Sequence, residues 1–331
     1  MKKRLFVVLT ALFALTLVAS GAIVSVQTAE AAPSANAEGA LLSVYASFYP
    51  MYDFAAKIGG DKVTVVNMVP SGMEPHDWEP TAADIIGLEN ADVFIYNGAG
   101  MEHWVADVLP TLQNQDLVVV EAAEGLELRE GHHHEEEEAD DHEGEADEHE
   151  DEEDHDHGEF DPHVWLNPLY AKKEAENIKN AFVLADPENK GYYEENYAAV
   201  AAEFDLLDQE YRETLGGLPN KDFVVSHEAF GYLAAAYDLH QIGVEGLAPD
   251  SEPDPARVAE IIDLVKENKI RTIFFEELAS PKVAESIAKE TGAETGVLSP
   301  VEGLSDEELA AGADYFSVMR ANLSALKNAL Q

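Results

Sequence analysis

With 331 residues, 46% of them apolar, the chain is long enough for two ordinary domains and too apolar to be wholly disordered. Its 66 acidic residues against 20 basic ones argue against nucleic acid and anionic membranes as partners, because neutralising phosphates takes Lys and Arg. The absence of cysteine excludes a disulfide framework, a thiolate metal site and lipid attachment through an N-terminal Cys, so any bound metal must rely on His and carboxylates.

Lys2, Lys3 and Arg4 precede an apolar run over 5–18, and Ala29-Glu30-Ala31 resembles a cleavage site. Residues 1–31 therefore read as a signal peptide, cleaved near Ala32; an uncleaved anchor is the lesser reading. Residues 32–40 read as a low-complexity spacer. No second stretch is long and apolar enough to span a bilayer. The expected location is the periplasm or the extracytoplasmic surface.

From residue 41 the pattern alternates between strand and helix. Strands are expected over 43–49, 63–69, 91–97 and 116–120. Helices are expected over 51–58, 81–90, with Thr81 as N-cap, and 102–112. Strands separated by helices imply crossovers and a parallel sheet. A run of a different kind follows. From Glu130 to Asp161 there are nineteen acidic residues, seven histidines and no Lys or Arg. Such a stretch cannot bury a core and is expected to be a solvated loop over 129–160, its imidazoles and carboxylates weakly attracting divalent cations.

Helical periodicity resumes over 168–184 and continues at length over 187–215, where Gly216-Gly217 ends it. The second helix is too long for a crossover and fits a rigid strut. Strands are then expected over 223–226, 241–245, 271–275 and 295–298. The accompanying helices fall over 229–237, 255–268 (Asp254 as cap), 281–291 and 306–330. The expected fold class is α/β, with two lobes, each a four-stranded mostly parallel sheet with flanking helices, joined by a long rigid helix. The expected boundaries are 41–186 for the N-terminal lobe, 187–217 for the linking helix and 218–331 for the C-terminal lobe.

Such folds place ligands just past the C-terminal ends of strands. His76 and His227 follow strands, Glu302 follows the strand ending at Leu298, and His163 sits between the acidic run and a helix. Three imidazoles and a carboxylate make a tetrahedral donor set that suits Zn²⁺. Taken singly, each could be a satisfied structural residue; four of them beside a His-rich run form a candidate site. His103 reads as surface or packing, and His240 as a charge partner at a helix end. Glu276 and Glu277 could hydrogen-bond ligating imidazoles or form salt bridges. Trp78 and Trp165 are expected to pack around the site and restrict water.

The segments PHDWEP, DPHVWLNP, SHEAFGYL and IFFEELASPKVAESIAKETGAE resemble the solute-binding proteins of zinc ABC transporters, the cluster A-I metal-binding family. The resemblance spans nearly the whole chain after the spacer. It implies two α/β lobes on a rigid helix, metal in the cleft between them, and ligands at His76, His163, His227 and Glu302. Manganese members carry a carboxylate where this chain has His227, which favours zinc, as does the acidic His-rich run. The chain departs from the family in lacking a lipobox cysteine and the Cys pair of some members. The implied function is a non-enzymatic, monomeric Zn²⁺ receptor that delivers its ion to an ABC-type membrane permease. A Mn²⁺ or Fe²⁺ receptor of the same fold, a His₃ zinc hydrolase using Glu302 or Glu277 as base, and a secreted zinc buffer remain as alternatives.

Overall fold

The computed structural model describes residues 41–131, 160–247, 255–276, 278 and 280–331. The signal-like segment, the spacer, nearly all of the acidic His-rich run, Asp254 and Glu277 lie outside the described residues.

Two parallel sheets of identical strand order carry the fold. In the first, β1 (Leu42–Ala46), β2 (Val63–Asn67), β3 (Val93–Tyr96) and β4 (Val118–Glu121) lie in the order β2-β1-β3-β4. In the second, β5 (Asp222–Val225), β6 (His240–Gly243), β7 (Thr272–Phe275) and β8 (Glu294–Val297) lie in the order β6-β5-β7-β8. The inner strands are short apolar runs, as expected where helices cover both faces. Val44 pairs with Val65 on one side and Val93 on the other, while Val224 pairs with Ile242 and Ile273. The order reverses at the first strand of each sheet, leaving a crevice at the C-terminal ends of β1 and β3 and of β5 and β7.

Several element ends differ from the sequence expectation, for local reasons. The first strand stops at Ala46, because Pro50 in the first turn favours helix, and α1 runs Tyr49–Gly59. Thr81 does cap α2 (Ala82–Glu89), in a reciprocal capping box with Asp84. The helix expected over 102–112 is only one turn, α3 (Val105–Val108), followed by a 3₁₀ turn at Leu109–Thr111 that contains Pro110. His240 does not end a helix: α6 (Gly231–Ala236) has already stopped, and His240 opens β6, where its Nδ1 lies 2.9 Å from Asp222 on β5. After α7 (Pro255–Asn268) and α8 (Lys282–Thr291), the closing helix is broken in two. α9 (Asp306–Ala310) ends near Gly312, whose φ of +84° is left-handed, and Asp314 then caps α10 (Tyr315–Leu330).

Two long helices follow the first sheet in the chain and precede the second. α4 (Pro168–Ala185) starts at Pro168 behind an Asn167 cap, and α5 (Lys190–Leu215) has 26 residues, or about 39 Å at 1.5 Å per residue. One face of α5 is buried through Tyr193, Val200, Phe204, Leu207, Tyr211 and Leu215. It packs on α4, α1 and α10, so elements of both sequence halves meet on it. A single buried apolar cluster runs from Val44 and Phe54 through Phe204 and Tyr315 to Phe223 and Leu298. Shared burial of this kind makes flexing the two halves costly, since hinge motion would expose core. No helix among the described residues is long and apolar enough to cross a membrane.

Candidate metal centre

Each of the four candidate residues is carried by a segment outside the strands. His76 sits in a turn-rich stretch after β2 that is punctuated by Pro70, Gly72, Pro75 and Pro80. Its backbone N–H donates to both carboxylate oxygens of Glu74 at 3.0 Å, which tightens the turn. His163 follows Pro162 and precedes a 3₁₀ turn at Val164–Leu166, all of it buried. His227 lies two residues beyond β5. Glu302 lies five residues beyond β8, past Ser299, Pro300 and Val301.

Val301 has a φ of +59°, a left-handed conformation that is costly for a β-branched residue. Such strain, about 1–3 kcal/mol, persists only where surrounding contacts over-determine the chain. Here it turns the segment so that the Glu302 carboxylate faces the imidazoles.

The fold brings all four together. One donor atom from each of His76, His163, His227 and Glu302 lies within 4.8 Å of the others, and three of the four residues are buried. His163 Nε2 is 3.2 Å from His76 Nε2, 3.2 Å from His227 Nε2 and 3.2 Å from Glu302 Oε1. Glu302 Oε1 is also 3.3 Å from His76 Nε2 and 3.8 Å from His227 Nε2. A tetrahedral ion with bonds of about 2.0–2.1 Å needs donor–donor edges of about 3.3–3.4 Å. Four of the five measured edges lie within about 0.2 Å of that value, so the donors are spaced for a small tetrahedral cation.

A family model for ZnuA, the periplasmic component A of zinc-uptake complexes, matches residues 44–329. The chain belongs to the ZnuA family. It is 46% identical over 297 residues to the high-affinity zinc uptake system protein ZnuA of Bacillus subtilis (strain 168), covering 90% of each chain. It is 41% identical over 286 residues to the zinc-binding lipoprotein AdcA of Streptococcus pneumoniae serotype 4, covering 86% of this chain and 55% of AdcA. The chain thus spans about half the length of that second relative. The solved Zn(II)-bound ZnuA-like domain of Streptococcus pneumoniae AdcA matches with a TM-score of 0.73 at 37% identity, over 88% of this chain and 99% of that one.

In this ZnuA-family chain the outward ring nitrogens of His163 and His227 are also held. Asp161 Oδ1 accepts from His163 Nδ1 at 2.8 Å, and Glu276 Oε1 accepts from His227 Nδ1. Glu276 directly follows β7 and His227 follows β5, so their bond crosses the crevice where the second sheet reverses its order. Holding Nδ1–H this way leaves Nε2 to carry the lone pair that a metal needs. The sequence reading offered Glu276 as one of two candidates and overlooked Asp161, although its place two residues before His163 was a usable signal.

Burial opposes charge on His163, but the hydrogen bonds and charges of Asp161 and Glu302 outweigh it and raise the imidazole to about 9. Burial likewise opposes charge on Glu302, yet His76, His163 and His227 together draw its carboxyl well below the usual range. Burial pushes Glu74 up to about 7, with His76 opposing and Glu302 adding. The cluster therefore favours positive charge, as a proton on His163 or as a metal ion.

Trp165 is fully buried with its ring centroid 5.3 Å from that of His163, and so closes one wall of the site to water. Trp78 packs edge-on against Trp104 at 5.7 Å. His103 is half-exposed beside Glu79, at 3.8 Å, and stands outside the cluster with His240.

Proposed function

We propose that the chain is an exported receptor that captures Zn²⁺ on His76, His163, His227 and Glu302 and hands it to the permease of an ABC transporter. The observation that carries this reading is the spacing of three Nε2 atoms and one carboxylate oxygen at tetrahedral edge lengths. An imidazole at residue 227, instead of a harder carboxylate oxygen, favours zinc over manganese. Four protein donors leave no position for an activated water, which supports binding over hydrolysis. We place residues 1–31 as a cleaved signal peptide and 32–40 as a spacer. Residues 41–186 and 218–331 form the two lobes, 187–217 the helix between them, and the mature chain acts as a monomer.

Metal content of the purified mature protein, with zinc–manganese competition, tests the reading. One zinc per chain is expected, and His76→Ala, His163→Ala or His227→Ala should each abolish tight binding. A triple variant that kept one zinc at unchanged affinity would refute the site.

A further inference from the structure

The segments that carry His163 and Glu302 are both tied to one helix, α10. Along α10, Tyr315, Met319 and Asn322 recur at helical spacing on one buried face. The Tyr315 hydroxyl donates to the carbonyl of Trp165 at 2.6 Å. The Met319 carbonyl accepts from the Tyr211 hydroxyl of α5 at 2.6 Å. Asn322 holds both sides of one residue: its Oδ1 accepts from the Ser299 N–H at 2.9 Å, and its Nδ2 donates to the Ser299 carbonyl at 2.7 Å. The indole N–H of Trp165 then joins the two segments directly, donating to the Pro300 carbonyl at 2.7 Å. Trp165 lies two residues after His163, and Pro300 two residues before Glu302.

We propose that Asn322 and Trp165 are positioning residues that fix the Glu302 carboxylate against His163, so that the tetrahedral spacing is built into the fold. The proposal rests on reading Glu302 as a ligand. An asparagine only 3% exposed on an apolar helix face costs stability unless its amide is fully used, and a leucine would pack there without that cost. Its two bonds to Ser299 are the use. Ser299 in turn accepts the Val301 N–H on its hydroxyl at 3.3 Å. Val301, held at a φ of +59°, would relax toward negative φ if these hooks were removed. Rotation at that residue re-aims everything beyond it, and Glu302 is next. The indole bond blocks the same relaxation from the other side.

The test is a set of double-mutant cycles on the mature protein, read as zinc affinity by competition with a chromogenic chelator. Asn322→Leu keeps volume and Trp165→Phe keeps an aromatic ring against Phe48, while each removes its bond to the Glu302 segment. Each should lower zinc affinity about ten- to a hundredfold. In a Glu302→Ala background each should add no more than about twofold, because there is no carboxylate left to misplace. Cobalt loaded into the single variants should also lose the intense visible bands of four-coordinate Co²⁺. Wild-type affinity in both single variants overturns the proposal, and so does an equal loss with and without Glu302. If Glu302→Ala itself leaves zinc affinity intact, the four-ligand reading falls and takes this proposal with it. Should Asn322→Leu not fold, Trp165→Phe carries the same comparison.

Discussion

Asp161 Oδ1 accepts two hydrogen bonds from one residue: the backbone N–H of His163 at 3.0 Å and its ring Nδ1 at 2.8 Å. A single carboxylate oxygen thereby sets the tautomer of the imidazole and the plane in which it lies. Glu276 does the same for the ring of His227 from a neighbouring strand. Asp161→Ala and Glu276→Gln should therefore each weaken zinc about ten- to a hundredfold without unfolding the chain. Titration with a competing chelator, alongside far-UV circular dichroism, checks both halves of that statement. Unchanged affinity in both variants would show that the Nδ1 bonds are dispensable.

The raised His163 imidazole gives zinc binding a pH dependence that begins higher than an ordinary histidine would allow. Held at about 9, the ring is protonated at neutral pH, and zinc must expel that proton to reach Nε2. Affinity should fall about tenfold per unit as pH drops below about 9, instead of only through the ordinary range near 6.5. The metal-free fold should respond the opposite way. A folded pKa raised above the unfolded value adds stability that is complete below about pH 6.5 and is lost as pH rises through about 9. Calorimetric melting in chelator should thus give a higher midpoint at pH 6.5 than at pH 9.5. Zinc titrations in buffers of differing ionisation enthalpy should show proton release at pH 7.5.

Glu174 on α4 is fully buried, and neither carboxylate oxygen finds a hydrogen-bond partner among the described residues. Burial, reinforced by the charge of Glu102, raises its carboxyl well above the usual range and so favours the neutral acid in the core. A neutral, unpartnered carboxyl costs about 1–3 kcal/mol, which an apolar residue of similar shape would recover. Glu174→Met should raise the melting midpoint. The gain should be larger at pH 8 than at pH 5, because the unfolded glutamate releases its proton above about pH 4.3 and the folded one resists doing so. A gain that did not vary with pH would mean that Glu174 is ionised in the fold.

The acidic His-rich run leaves and rejoins the described chain at adjacent points. Glu130 and Phe160 form an antiparallel bridge, and the Asp161 N–H donates to the Arg129 carbonyl at 2.9 Å. Its ends are close enough for a short join, and closing a shorter loop costs slightly less entropy. Deleting residues 131–158 should leave one tight zinc and a nearly unchanged melting midpoint, while weaker additional zinc binding disappears. Isothermal calorimetry distinguishes the two classes of site, and loss of the tight one would mean that the run supplies ligands.

Much of the architecture was legible in the residue order. Short apolar runs such as VFIY and TIFF, spaced by helical periodicity, gave the repeated strand–helix units, because parallel strands must be covered on both faces. The long helix expected over 187–215 from its aromatic spacing and the Gly-Gly that follows it is present, starting at Lys190 after a 3₁₀ turn at Pro187–Asn189. His76, His163, His227 and Glu302 could be nominated because they stand beyond strand ends or turns, where side chains are free to converge. Spacing along the chain says nothing about distance across it. That Glu276 reaches His227 depends on β7 lying beside β5, which only the sheet order decides. That Asn322 and Trp165 reach the Glu302 segment depends on where α10 comes to rest against the shared core. The left-handed Val301 was likewise decided by tertiary contacts that outweigh local preference, whereas the break at Gly312 follows local signals, a glycine and the Asp314 cap. Periodicity follows from backbone geometry and is local, whereas the meeting of faces follows from burying all the apolar surface at once, and the metal centre is built where those faces meet.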